Sequence, residues 1–174
     1  MTHFIDLTPY SYGAAKSPEE RALNVGWLVA GVDFETTTSP DPQFIDCLWR
    51  FCKVSIDQTR GFHECEMCCS DAANSASRNG EELLLGSAEI RVVSNDGKLY
   101  AAPNLIYHYV VAHNYSPPAE FVHAVLVGPC PPDNTYFELL STLGLVWSHT
   151  HIPERNRKRF RFMKTSKGVI KVEE

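Results

Sequence analysis

The chain has 174 residues, of which 44% are hydrophobic and 21% charged, and a net charge of −5. This length fits one domain, or one domain with an appendage, and suffices to bury a core that does not need a metal for bulk stability. The composition is that of a globular protein, and no apolar run approaches membrane-spanning length.

The charge is uneven. Residues 150–174 carry eight Lys/Arg against three Asp/Glu, a net of +5, and the first 149 residues carry eight against 18, a net of −10. An acidic body with a short basic end does not fit a general nucleic-acid binder. The opening MTHFIDLTPYSYG has no basic flank, apolar segment or small-residue cleavage site, so the chain is expected to be cytoplasmic. In that compartment the six cysteines (Cys47, Cys52, Cys65, Cys68, Cys69 and Cys130) do not form a disulfide framework. Cys47 and Cys52 lie in an apolar run and read as small core residues. Cys130 lies in a Pro-Cys-Pro-Pro turn and reads as a surface thiol.

In chain order, residues 1–24 are rich in Pro, Gly, Ser and Tyr and are expected to wrap the surface. Residues 24–29 have strand length and character. Asp41 can cap a helix that opens with Pro42, because proline lacks the N–H that would be unpaired there. Phe44, Ile45, Leu48, Phe51 and Cys52 then recur at three- and four-residue spacing on one buried face, predicting a helix over 41–52. Residues 70–82 are small and polar and read as a mobile contact loop. A strand at 88–93, a turn at 94–97 with Asp96-Gly97, and a return strand at 98–101 form a hairpin. Glu89 and Arg91 alternate on that first strand and read as a solvated surface pair.

Helices are predicted at 103–114 and 117–127, and a shorter one at 134–143. Charge and apolar residues alternate over 159–163, and 169–172 can pair back as a hairpin. The expected fold is a single α+β domain. Residues 1–127 form its main body with the N-terminal wrap, and 128–174 form an extension with a short helix and a basic hairpin packed on the same domain.

The chemistry concentrates in 60–113. RGFHECEMCC carries Cys65 and Cys68 two residues apart, and NLIYHYVVAH carries His108 and His113 on a helix-like run. Two thiolates and two imidazoles make a closed tetrahedral zinc set. The order of Cys-x2-Cys turn, hairpin and helix resembles a treble-clef zinc finger, in which backbone amides of the turn face the sulfurs. Five positions along an ideal helix rotate by about 140°, so His113 must reach or the helix end must loosen. His63 is the reserve ligand, Cys69 an alternative to Cys68, and His123 a further donor. The plainer reading makes these residues a buried cysteine pair and two core histidines. With all four ligands the zinc is structural, because no coordination position stays open, and its loss is expected to unfold this half of the chain.

Other readings carry less. A thioredoxin-like Cys-x2-Cys wants a helix to follow, and polar loop follows here. His63, Glu64 and a cysteine are neighbours in sequence, which is no sign of triad geometry. An HNH-type nuclease would place histidine on the hairpin, and AEIRVVSNDGKLYAA has none. The basic run Arg155, Arg157, Lys158, Arg159, Arg161 and Lys164, interleaved with Phe160 and Phe162, suits phosphate contact and stacking, or an edge strand protected by charge.

LNVGWL, TRGFHECEMC, GSAEIRV and YAAPNLIYHYVVAHNYSPPAEFVHAV together resemble a family of small uncharacterised bacterial proteins that pair a Cys-x2-Cys knuckle with a Pro-x4-His-Tyr-x3-His helix. The resemblance spans residues 23–127. It implies a metal-knuckle domain with ligands at Cys65, Cys68, His108 and His113, and it implies no reaction. Similar small domains occur beside toxin–immunity systems. The expected function is therefore a non-enzymatic interaction protein of immunity or antitoxin type that covers a basic partner. A metal-dependent enzyme with an open zinc site and a nucleic-acid-binding module are the competing expectations.

Overall fold

The computed structural model describes residues 2–12, 21–68 and 75–150, with the backbone of 160–165 and 168–173. Cys69 and the basic residues Arg155, Arg157, Lys158 and Arg159 lie outside the described residues, as do the side chains of Phe160, Arg161, Phe162 and Lys164.

The fold is α+β. Its centre is a five-stranded sheet in which β1 (Ala22–Asn24) runs parallel to β6 (Leu99–Pro103). Antiparallel neighbours β5 (Glu89–Val93), β2 (Val54–Ile56) and β7 (Trp147–His149) complete it. The turn between β5 and β6 is the expected one, with Gly97 at φ +85° and its N–H on the Ser94 carbonyl.

Alternation along β5 divides the molecule. Ile90 and Val92 face a core shared with α1 (Pro42–Cys52), α2 (Ile106–His113), α3 (Ala119–Val127) and α4 (Asn134–Thr142). Asp41 caps α1 by accepting from the Gln43 N–H at 2.9 Å, with Pro42 in the first turn. Phe44, Leu48, Phe51 and Cys52 are buried as the spacing requires; Trp49 joins them, and Ile45 is half-buried. The main core also takes Tyr136 and Leu140 of α4, and β7 pairs with β2, so residues beyond 127 contribute to it.

Glu89, Arg91 and Val93 face the opposite side. There the N-terminal segment lies along β1: Tyr10 N–H bonds to Ala22, Leu7 to Asn24, and Asn24 to Thr8. Phe4, Tyr10 and Tyr12 gather around Trp27. This wrap overturns the reading of Glu89 and Arg91 as solvated: they are 5% and 0% exposed.

Residues 70–82 are also not one loop. β3 (Ser75–Arg78) and β4 (Glu81–Leu84) form a hairpin around Asn79-Gly80, both at positive φ. Ion pairs Arg78–Asp46 and Lys53–Glu81 fix it to α1 and the residue that caps it, and Leu83 is fully buried. The strand expected at 24–29 does not form there: β1 lies earlier, overlaps that stretch only at Asn24, and ends before Gly26, whose positive φ turns the chain. Cys130 is half-buried rather than a surface thiol, and burial raises its pKa to about 11. The C-terminal hairpin forms from β8 (Phe160–Thr165) and β9 (Gly168–Glu173).

Candidate metal centre

Two segments meet at the site. The first is the knuckle, which closes when the Cys68 N–H bonds to the Cys65 carbonyl at 3.2 Å. It is anchored upstream, where His63 N–H bonds to the Gly86 carbonyl and Thr59 N–H to Ser87, each at 2.7 Å. Gly86 in turn donates its N–H to Asn104 Oδ1 at 2.7 Å. Asn104 lies just before α2, so one buried side chain ties the knuckle's support to the start of the histidine helix.

The second segment is α2. His108 lies in its first turn and His113 is its last residue. Asn114 follows at φ +55°, and the N–H groups of Asn114 and Tyr115 both reach the Tyr109 carbonyl. These bonds span five and six residues instead of four. The last turn is therefore wider than an ideal α-helical turn, which answers the 140° separation expected of an ideal helix at about 3.6 residues per turn.

Cys65, Cys68, His108 and His113 come together, with one donor atom from each inside 4.8 Å of all the others. His113 Nε2 lies 3.2 Å from Cys65 Sγ, 3.3 Å from Cys68 Sγ and 3.2 Å from His108 Nε2. Cys68 Sγ lies 3.2 Å from His108 Nε2. An imidazole nitrogen carries at most one hydrogen, so it cannot donate to three partners at once. A cation at the centre would satisfy all four. Bonds of ~2.0–2.3 Å at tetrahedral angles put donors about 3.3–3.8 Å apart, close to these separations. The four residues thus lie close enough to hold a metal ion.

The electrostatics act differently on the two kinds of donor. Burial pushes the Cys65 thiol up, toward the protonated form whose proton a metal must displace, opposed by the backbone amide of Met67 and reinforced by the neighbouring Cys68 sulfur. Burial, then His113, lowers the His108 pKa and keeps that imidazole in the neutral form that metals take. His63 is not in the group; it lines a cleft together with Gly86. His123 is exposed on α3 and also stands apart.

Residues 2–126 match the family described as a domain of unknown function, DUF7919. The chain belongs to that family. No curated protein and no solved structure matches it. The DUF7919 match takes in all four donors and the N-terminal wrap, and ends inside α3. Among the described residues no helix is long and apolar enough to cross a membrane.

The DUF7919 region also holds a buried charge network that sequence reasoning missed. Arg91 donates to Glu89 at 2.6 Å and to Asp57 at 3.2 Å. The Tyr10 hydroxyl lies 2.8 and 2.9 Å from the two Glu89 oxygens, and the Tyr10 ring stacks 4.9 Å from the guanidinium carbon. Burial alone would lower the Arg91 pKa; Glu89, Tyr10 and Asp57 outweigh it and hold the guanidinium charged. Burial raises the Glu89 carboxyl, with Arg91 and Tyr10 opposing. A possible sequence signal was the tyrosine-rich N-terminus beside a strand bearing two charges, but only the long-range pairing of Tyr10 with Ala22 gives it meaning.

Proposed function

We propose that this chain is a non-enzymatic protein-interaction module whose fold is braced by a structural zinc ion on Cys65, Cys68, His108 and His113. The convergence of those four donor atoms within 4.8 Å carries this reading. Two sulfurs and two imidazole nitrogens in a tetrahedral set suit Zn2+ above harder cations. Four protein donors complete such a shell and leave no position for substrate, which supports a structural rather than a catalytic ion. The order of knuckle, β5–β6 hairpin and α2, with β3–β4 inserted, supports the treble-clef reading.

The partner we infer is a protein with a basic surface, as an immunity or antitoxin protein meets in a toxin, within the cytoplasm. The net charge of −10 over the first 149 residues supports it, since complementary charge speeds encounter and selects partners.

Metal analysis of the purified protein, beside Cys65→Ser and His108→Ala, tests the ion. One zinc per chain in the wild type and less in both variants is expected, with X-ray absorption showing two sulfur and two nitrogen neighbours. No metal, or a shell with three protein donors and a water, overturns the structural-zinc reading. Any partner recovered with tagged protein should be basic and released by salt. One held unchanged at high salt removes the electrostatic part.

A further inference from the structure

Between the N-terminal segment and residues 28–35 lies an open groove of about 410 Å³, lined neither by the metal donors nor by the buried Arg91 network. Phe4, Leu28 and Phe34 contribute apolar lining, and Ile5 and Val32 stand out into solvent at 69% and 41% exposure. Large apolar side chains grouped at one concavity and left to water mark a contact surface, since folding gains nothing by leaving them there.

Three carboxylates and no Lys or Arg line the groove among the described residues. Asp6 is structural. Its Oδ1 accepts from the Gly26 N–H at 2.8 Å and its Oδ2 from the Tyr115 hydroxyl at 2.7 Å, which fixes the N-terminal wall to the body. Asp33 and Glu35 are exposed, and neither side chain has a partner among the described residues. They flank Phe34 at the edge of the apolar lining, so the groove favours a ligand that brings apolar surface and positive charge together.

The second wall is tied to the metal centre at both ends. Tyr109 of α2 donates its hydroxyl to the Leu28 carbonyl at 3.5 Å, and the Ala30 N–H reaches the carboxylate of Glu66, inside the knuckle, at 3.4 Å. The Ser116 N–H bonds to the Glu35 carbonyl at 2.8 Å, and the Thr37 N–H to the carbonyl of Asn114, next to His113, at 2.9 Å. Phe34 packs edge-on to Tyr115 with ring centroids 6.0 Å apart. An ion that fixes the knuckle and the end of α2 therefore also fixes the loop that carries Val32, Asp33 and Glu35.

We propose that this groove is the docking site for a basic protein segment, whose apolar side chains enter between Ile5 and Val32 while neighbouring Lys or Arg side chains meet Asp33 and Glu35. This rests on the reading of the chain as an interaction module with a basic partner, and adds the surface that takes the partner and its dependence on the metal centre.

The test is an NMR titration of the whole, metal-loaded chain at matched ionic strength, following the amides of Ile5, Val32, Asp33, Phe34 and Glu35. The probes are synthetic hexapeptides of alternating lysine and leucine, alternating glutamate and leucine, and alternating lysine and serine. Saturable shifts at these residues with the lysine–leucine peptide, and clearly weaker binding of the other two, are expected. Asp33→Asn combined with Glu35→Gln changes two exposed side chains, and should weaken lysine–leucine binding about fivefold in a protein that still folds. Chelation should abolish the shifts while β5 and β6 stay folded. Shifts that map away from the groove, equal binding of either control peptide, undiminished binding by the double variant, or no saturable shift with any peptide would overturn the proposal. Unchanged binding after chelation would overturn the link to the metal centre. Zinc measured on the same samples reports on the metal reading, and salt release of a captured partner on the basic-partner reading, so failure of the groove is distinct from failure of either.

Discussion

A Cβ placed on Gly86 would lie 2.2 Å from the carbonyl oxygen of His63. The two backbones are that close because His63 donates to Gly86, and Gly86 holds φ +90° while donating to Asn104. Only glycine meets both conditions, and the knuckle two residues on from His63 inherits the placement.

Gly86→Ala therefore combines a strained φ with a backbone clash, and should destabilise the protein by about 2–4 kcal/mol in urea unfolding. Gly97 is the control. Its φ is +85°, but nothing lies within 4 Å of its Cβ position. Gly97→Ala should cost only the strain, about 1–2 kcal/mol. The excess at Gly86 measures the clash, and zinc content should fall in that variant alone. Equal costs would mean that the His63 segment moves aside freely.

Metal removal should act locally. The sheet and helices bury a core that includes Phe51, Ile56, Ile90 and Phe121, so the sheet has burial of its own to hold it without the ion. This narrows the expectation that metal loss unfolds half the chain. Chelation should strip hydrogen-exchange protection from 59–68 and the end of α2, while β5 and β6 stay protected. His63→Ala should retain zinc. Zinc loss in His63→Ala would return that residue to the ligand set.

Arg91→Met removes the charge that balances Glu89. An uncompensated buried carboxylate costs about 3–5 kcal/mol near neutral pH. Burial already raises the Glu89 pKa, and losing Arg91 raises it further. A raised carboxyl pKa loses stability as pH climbs from the unfolded value through the folded one. The deficit of Arg91→Met should thus be small near pH 4 and grow toward pH 7. Glu89→Gln combined with Arg91→Met should cost less than Arg91→Met alone. Denaturation of both variants at each pH checks the sign, and a deficit independent of pH would point to lost packing instead.

What could be read from the sequence was local. Asp41-Pro42 announces α1, Asp96-Gly97 the β5–β6 turn, and the Cys and His spacings the four donors that converge. The Asn79-Gly80 hairpin was missed, because its polar strands, exposed on alternate residues of β3, resemble a loop. β2 and β7 are three residues each, too short for alternation to register. The burial of Glu89 and Arg91 depends on Tyr10 reaching across from the N-terminus, a contact that strand periodicity cannot express. Widening of the last turn of α2 depends on Asn114 taking a left-handed φ, which the helix pattern before it does not reveal.

Asn104 offers the sharpest test of how the knuckle is tied to α2. Its Oδ1 accepts from Gly86 at 2.7 Å, its Nδ2 has no partner among the described residues, and the residue is fully buried. Asn104→Asp keeps the acceptor, exchanges the idle NH2 for a single O–H when protonated, and introduces a carboxyl with no cation beside it among the described contacts. When protonated it accepts from Gly86 much as asparagine does, so near pH 4 the variant should match the wild type. Burial raises its folded pKa above the unfolded value of about 3.9, and stability is lost as pH rises between the two. Each unit of that shift costs about 1.4 kcal/mol once the pH exceeds the folded value. Urea midpoints at pH 4, 5.5 and 7 should diverge progressively from the wild type, whereas Asn104→Leu, which leaves the Gly86 N–H unpaired, should show a deficit of about 1–3 kcal/mol that does not change with pH.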